Sequence, residues 1–439
     1  KALPMFHKVL IANRGEIALR IVRALQDLGI PSLAVYADDD ARAPHVQAAD
    51  AAQALGATGP TAYLDGARLL AIAREHGADA LHPGYGFLAE RADFARDCAA
   101  AGVRFIGPTP EQLALFGDKA QARALARRLG VPLLPGSAGA VTLDEAQAFL
   151  AAQGGAGVML KAVGGGGGRG MRAVRTAGEL AAAYERCRGE ARAAFGVDGV
   201  YVERLLEGAR HVEVQVLGDG HDAMALGERE CTLQRRFQKL VEVAPSPHLS
   251  EALRGRLIDA ALTMARQVRY QSLGTFEFLV DDEASGNDDR FAFIEANPRL
   301  QVEHTVTEEV LGVDLVRTQL AVAAGATLGS LGLAQPYVPK PRGYAMQLRV
   351  NMETMDATGA TQPTGGTLSM FDLPSGPGVR VDTFGYSGYR TGAAFDSLIA
   401  KLIVHSPSED FGAAVAKSLR ALGEFRIAGV DTNISFLQA

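Results

Sequence analysis

The sequence predicts an α/β protein that opens with a parallel sheet, carries a lid-like insertion and ends in a β-rich region. Three observations carry this. Roughly the first 110 residues alternate short apolar runs with helix-period segments, which is how crossover helices and a parallel sheet read in sequence. A run of five glycines, Gly164 to Gly168, follows an apolar strand-like segment. Beyond it His211 to Val216, Thr275 to Val280 and Phe291 to Glu295 alternate with period two, as antiparallel strands do.

Taken in order, Lys8-Val-Leu-Ile-Ala12 reads as a buried strand, Glu16 to Leu28 as a helix and Pro31 to Tyr36 as a second strand. A helix from about Leu64 to His76 precedes a strand at Ala80 to Pro83, and a helix from Arg91 to Ala101 precedes one at Val103 to Ile106. Asn13-Arg-Gly-Glu16 is then a strand-to-helix turn. It lacks the full GxGxxG, so a plain turn outweighs a phosphate loop. From Lys119 a helix, a strand at Val158 to Val163, the glycine run and a helix from Ala177 to Ala194 make a lid-like α+β unit ending near Tyr201-Val-Glu203. Beyond Pro336 short, turn-rich segments predict a β-rich third domain closed by a helix around Phe411 to Leu422.

At 439 residues the chain exceeds one comfortable core, so two or three domains are expected. A net charge of -6 and a pI near 5.9 argue against a broad nucleic-acid surface. No apolar run reaches the roughly 18 residues of a membrane span, and Val9 to Ala12 is too short for a signal-peptide core. A cytoplasmic setting without membrane or nucleic-acid partners is expected. Cys98, Cys187 and Cys231 are odd in number and widely spaced, which fits reduced, packed thiols better than disulfides or a zinc site. The start at Lys1 and the apolar end at Phe436-Leu-Gln-Ala439 suggest a part of a longer polypeptide.

Chemistry concentrates in a few segments. Val158-Met-Leu-Lys-Ala-Val163 delivers Lys161 beside a backbone without side chains, whose amides can wrap phosphate oxygens. The lysine precedes the glycines, so this is not a Walker A loop. Glu277 and Glu295 each place a carboxylate in an apolar strand. On neighbouring strands they would bridge one or two Mg2+ ions, with Asn297 as a neutral ligand and ATP phosphates completing the shell, or else form two salt bridges. If Glu295 to Glu303 is extended, Glu295, Asn297, Arg299, Gln301 and Glu303 share one face, a wall with metal ligands, an anion clamp and a base. The bland alternative is an edge strand with a solvated face. Gln234-Arg-Arg-Phe-Gln-Lys239 is a basic patch, and His82-Pro-Gly-Tyr-Gly86 is a tight turn in which Gly84 and Gly86 supply unusual backbone angles.

Together with Gly117-Asp-Lys119, Phe276-Glu-Phe278 and Arg299-Leu-Gln-Val-Glu-His304, these segments resemble the biotin carboxylase family of ATP-grasp enzymes nearly end to end. The resemblance implies an ATP-grasp fold: a Rossmann-like domain at 1–115, an ATP-grasp domain at 116–335 with a mobile lid at about 135–203, and a C-terminal domain at 336–439. It implies ATP-dependent carboxylation of carrier-bound biotin by bicarbonate, through carboxyphosphate. Lys119, Lys161, Glu203, Leu206, His211 and Gln234 would contact ATP, with Gly165, Gly166, Gly167 and Gly168 closing over its phosphates. Glu277, Glu295 and Asn297 would hold magnesium, one ion or two, with manganese as a substitute. Lys239, Arg299, Gln301 and Val302 would hold bicarbonate, with Glu303 as its base, and Tyr85 and Arg349 would meet the biotin ureido group. The implied partners are a biotin carboxyl carrier domain and a carboxyltransferase, in a homo-oligomeric holoenzyme.

Four positions depart from the common pattern. Phe237 stands where the family often has His or Asn, Val243 and Gln347 where it often has Glu, and Thr305 where Pro is frequent. Thr305 and Arg349-Val-Asn-Met-Glu353 look more like large multifunctional carboxylases than a free-standing subunit. Other ATP-grasp ligases, of the carbamoyl-phosphate or carboxylate-amine type, and a nucleotide-binding module without turnover are the competing expectations. The single glycine-rich module argues against the tandem carbamoyl-phosphate type, and the full polar set argues against a decayed site.

Overall fold

The computed structural model describes residues 6–163, 170–195, 198–281, 290–334, 339–356 and 359–439. Its first layer is the expected parallel sheet of five strands, in the order Ala51–Ala54, Ser32–Tyr36, Val9–Ile11, Ala80–His82 and Arg104–Phe105. Val9, Leu10 and Ile11 are fully buried because helices cover both faces of the central strand, which is why the run is uniformly apolar rather than alternating. Helix Gly15–Leu28 stops at Gly29, whose φ of 67° is the left-handed cap conformation.

The Asn13-Arg-Gly-Glu16 turn is a plain strand-to-helix turn, and its polar groups are spent inside the protein. Asn13 Nδ2 donates to the carbonyls of Pro83 (2.7 Å) and Tyr85 (2.8 Å). Arg14 pairs with Asp40 beneath the Phe395 ring, and Glu16 meets Lys401 at 3.0 Å. Gly84, at φ 62°, has to be glycine, since a Cβ there would lie 2.7 Å from Asn13 Nδ2.

The second unit is a three-stranded sheet, Met171–Val174, Val158–Ala162 and Val200–Arg204, covered by helices Leu143–Ala152 and Ala177–Phe195. Leu160, Leu180, Cys187 and Val202 share its small separate core. The glycine run 164–168 lies outside the described residues.

The third is an eight-stranded antiparallel sheet, in the order Arg290–Asn297, Gln271–Asp281, Arg210–Asp219, Ala223–Arg235, Gln238–Ala244, Tyr344–Asn351, Leu398–Ser406 and Val379–Thr383. The strands after residue 339 extend this sheet, so Arg349 and Lys401 sit in register with one another beside the earlier strands. Helix Glu251–Gln267, whose N-cap Ser250 accepts from the Leu253 N–H, covers the face opposite the site; nothing in the alternation pattern marked it.

Two expectations about these strands fail. Phe291 to Glu295 does not alternate strictly: Glu277 pairs with Glu295 but Phe278 pairs with Phe293, which leaves Ile294 as a bulge. The extra residue keeps Phe291 and Phe293 in the core while turning Glu295 to the opposite face. Nor is Glu295 to Glu303 one extended segment. The strand ends at Asn297, before Pro298, and the chain turns into helix His304–Leu311.

Burial lowers His82 to a pKa of about 3 and His45 to about 4, from 6.5. An unfolded chain takes up these protons below about pH 6.5 while the native state does not. Each histidine therefore withdraws up to about 1.4 kcal/mol of stability per pH unit as acidity increases through that window. Buried carboxylates with raised pKa values, Glu16 among them, act with the opposite sign, so the comparison needs a variant. His82→Gln keeps an acceptor for the Gly84 N–H, which His82 Nδ1 accepts at 3.0 Å. Its urea-denaturation deficit relative to wild type should shrink between about pH 7.5 and about pH 5, and a constant deficit would contradict a neutral, buried His82.

Candidate active site

Three carboxylates lie side by side across the large sheet, because Glu277 is the register partner of Glu213 on one side and of Glu295 on the other. Uncompensated, such a row would repel and lose hydration. Lys239, from the neighbouring hairpin, answers most of it: its Nζ lies 2.6 Å from Glu213, 3.0 Å from Glu277 and 2.8 Å from Glu303. Arg229, fully buried behind the row, donates to Glu213 at 2.5 Å and to Gln215 and Thr307 at 2.8 Å. His211 Nε2 stands 2.8 Å from Glu277, and Lys119 Nζ 2.8 Å from Glu295. Burial would raise the Glu277 pKa, but Lys239 and His211 outweigh it and hold it well below the usual carboxylate range.

The turn that replaces the expected strand still delivers its polar groups to the same place. Arg299 pairs with Glu90 and donates to Gln301 Oε1 at 2.6 Å, while Gln301 Nε2 donates to Thr275 Oγ1 at 2.7 Å. Glu303, the N-cap residue of helix His304–Leu311, is buried between Lys239 and Arg349, the latter at 3.0 Å. Burial would raise its pKa; Lys239, Arg349 and Arg229 hold it well below 4.5. Lys401 fixes the turn by donating to the Val302 carbonyl at 3.1 Å while paired with Glu16, which also accepts the Tyr85 hydroxyl. Arg349 Nε in turn donates to Glu242 at 2.5 Å.

On the far side, Asp118 caps helix Lys119–Arg128 and so presents Lys119 at its first turn. Lys161 reaches from strand Val158–Ala162 to Glu203, 2.5 Å away, which Arg123 also holds. Burial opposes a charged Glu203, but Lys161 and Arg123 keep its pKa low. Gln234 Nε2 donates to the Cys231 carbonyl at 2.8 Å, and Phe237, at φ 65°, sits 40% exposed at the hairpin tip.

One cavity of about 710 Å³ joins both sides. Tyr85, Lys119, Lys161, Glu203, Leu206, His211, Gln234, Lys239, Glu277, Glu295, Asn297, Arg299, Gln301, Val302, Glu303 and Arg349 all line it. Of the residues singled out from sequence, Gly165, Gly166, Gly167 and Gly168 lie outside the described residues. Glu277 and Glu295, on adjacent strands, and the Asn297 amide offer hard oxygen donors at one wall, a set that fits Mg2+. Asn297 Nδ2 donates to Glu277 Oε1 at 2.7 Å, and its oxygen accepts only a long contact from Arg299 Nη2, at 3.4 Å.

Sequence reasoning missed Glu90, Glu213, Glu242, Arg229 and Lys401. Glu213 and Glu242 carried the same signal that singled out Glu277, a carboxylate inside an apolar alternating strand. Arg229 and Lys401 gave none, since a lone cation in a strand does not disclose its partner. The three cysteines are unpaired and buried, as expected. Glu213, Cys231 and Glu303 bring ligand atoms within 4.8 Å of one another, but Lys239, Arg229 and Arg349 already balance the two carboxylates. Burial pushes the Cys231 thiol far up, so it packs as a neutral group.

Three family models match successive parts of the chain: Biotin carboxylase, N-terminal domain, over residues 5–113; Carbamoyl-phosphate synthase L chain, ATP binding domain, over 118–331; and Biotin carboxylase C-terminal domain, over 347–439. The alpha3 subunit of a biotin-dependent acyl-coenzyme A carboxylase from Mycobacterium leprae (strain TN) is 46% identical over 98% of this chain and 70% of that subunit. Mitochondrial pyruvate carboxylase from Rattus norvegicus is 47% identical over 98% of this chain, which spans only 36% of that relative's length. Among solved structures, the biotin carboxylase domain dimer of Hydrogenobacter thermophilus 2-oxoglutarate carboxylase, in complex with MgADP, ADP and bicarbonate, matches with a TM-score of 0.93 and 42% identity. That match covers 99% of this chain and 93% of the other.

Proposed function

The chain belongs to the biotin carboxylase family, and from that premise we propose that it carboxylates carrier-bound biotin with ATP and bicarbonate, by way of carboxyphosphate. The observation that carries the proposal is Glu303, a buried carboxylate between two cations, Lys239 and Arg349, on the wall that also bears Arg299 and Gln301. Bicarbonate is a poor nucleophile until it loses its proton. Lys239, Arg299, Gln301 and the Val302 segment would hold the anion and favour its dianion, and Glu303 would take the proton.

Lys119, Lys161, Glu203, Leu206, His211 and Gln234 form the ATP side of the cavity in this reading. Glu277, Glu295 and Asn297 would hold magnesium, whose charge neutralises the phosphate oxygens. Tyr85 and Arg349, at the other end, would orient the biotin ureido group and stabilise negative charge on its oxygen. We read the chain as three units, 1–115, 116–335 with a lid at 135–203, and 336–439. The partners are a carboxyl carrier and a carboxyltransferase in a homo-oligomeric, cytoplasmic holoenzyme. No helix among the described residues is long and apolar enough to cross a membrane.

The test is ADP release from Mg-ATP with and without bicarbonate and free biotin. Release that requires bicarbonate and rises with biotin supports the reading; release that responds to an amine or another carboxylate instead would point to a different ligase. Arg349→Ala should impair biotin-dependent turnover by about tenfold or more, as loss of a charge-assisted contact does, while changing bicarbonate-dependent ATP cleavage far less. Equal loss of both would remove Arg349 from the biotin end.

A further inference from the structure

Arg349 is held between two carboxylates, Glu303 and Glu242, and the second is itself held from behind. Glu242 and Gln347 are register partners on strands Gln238–Ala244 and Tyr344–Asn351. Gln347 Nε2 donates to Glu242 Oε2 at 3.0 Å, and Gln347 Oε1 accepts the Thr305 hydroxyl at 2.5 Å. All three side chains are buried, Glu242, Gln347 and Thr305 each at 0% exposure. The amide has one workable orientation. Flipped, its oxygen would face the Glu242 carboxylate, acceptor against acceptor.

Thr305 stands two residues after Glu303, in the first turn of the same helix. The contacts therefore close a ring: Glu303 to Arg349, Arg349 to Glu242, Glu242 to Gln347, Gln347 to Thr305, and Thr305 back to Glu303 through the helix start. We propose that Thr305 and Gln347 are positioning residues that fix Glu242, and through it hold Arg349 in the orientation that meets biotin. The inference rests on the carboxylase reading above.

Two carboxylates compete for a single guanidinium. Glu242 keeps Arg349 from settling wholly on Glu303, where it would weaken the base and leave the biotin end of the cavity. Burial raises the Glu242 pKa against the pull of Arg349 and Lys239, and a hydrogen bond donated by a fixed amide favours the charged carboxylate that holds the guanidinium. Neither contact survives a change of residue type at these two positions. A proline at 305 has no hydroxyl to donate, and a glutamate at 347 would set a second carboxylate against Glu242.

Thr305→Val and Gln347→Leu keep side-chain volume and remove the hydroxyl donor and the amide. Each should raise the KM for free biotin about five- to tenfold, the size expected for loosening one charge-assisted hydrogen bond, while kcat and KM for bicarbonate-dependent, biotin-independent ATP cleavage stay within about twofold. Thr305→Ser restores the hydroxyl and should return the biotin KM to wild type. Wild-type biotin KM in both variants, parallel loss of both reactions, or no rescue by serine would overturn the inference while Arg349→Ala still reports on the carboxylase reading. Absence of any biotin response in the wild-type protein would remove that reading and the inference with it.

Discussion

Glu303→Gln is expected to lower biotin-dependent ADP release by at least about 10²-fold, the lower end of what a positioned general base contributes, with ATP binding retained. The substitution keeps the shape and leaves an oxygen for Lys239 or Arg349, so the cavity wall should persist. What it removes is the only proposed proton acceptor. Glu303 is an unusual base because Lys239, Arg349 and Arg229 hold its pKa far below neutrality even against burial. It is ionised across the working pH range, but it is weak. Proton transfer then requires bicarbonate to be the stronger acid than usual, which is what Lys239, Arg299 and Gln301 around the anion would supply, and a bound anion also draws Lys239 away from Glu303. Turnover near the wild-type rate, with ATP affinity unchanged in a direct titration, would remove Glu303 from the base role.

The way the site was legible in sequence follows from what alternation can and cannot say. Period two located Glu277 because its strand is regular on both sides, paired without interruption to Arg210–Asp219. It located Glu295 for the wrong reason: strict alternation from Phe291 would have put this carboxylate with Phe291 and Phe293, and the Ile294 bulge reverses it. In Glu295 to Glu303 the polar spacing survived although the strand did not, since a turn after Pro298 brings Arg299, Gln301 and Glu303 to the same cavity. The first-layer sheet was legible because buried parallel strands and their helices are local patterns. The pairing of Lys401 with Glu16, or of Arg349 with Glu242, joins residues far apart in the chain, and no local pattern reports it.

Lys239→Met should be the most costly single change in the cavity, for a reason that lies in packing before chemistry. One ammonium contacts Glu213, Glu277 and Glu303 within 3.0 Å, and all three carboxylates are buried. Removing it leaves Arg229, Arg349 and His211 to balance them and breaks a buried ionic network, which typically costs about 3–5 kcal/mol. The pH dependence has a definite sign. In the wild type Glu277 and Glu303 have lowered pKa values, so their contribution is present above the unfolded value near 4.5 and is lost as pH falls through the folded values. Without Lys239, burial and mutual repulsion push those pKa values up, so the variant is least penalised in acid and loses stability as pH rises through the raised values. The wild-type-minus-variant difference in urea denaturation should therefore be small near about pH 4.5 and grow toward about pH 8. Bicarbonate-dependent ATP cleavage should be abolished throughout, because the same ammonium is the proposed anion clamp. A deficit below about 1 kcal/mol, or one that shrinks as pH rises, would mean that the three carboxylates are balanced by other cations and that Lys239 is not their common partner.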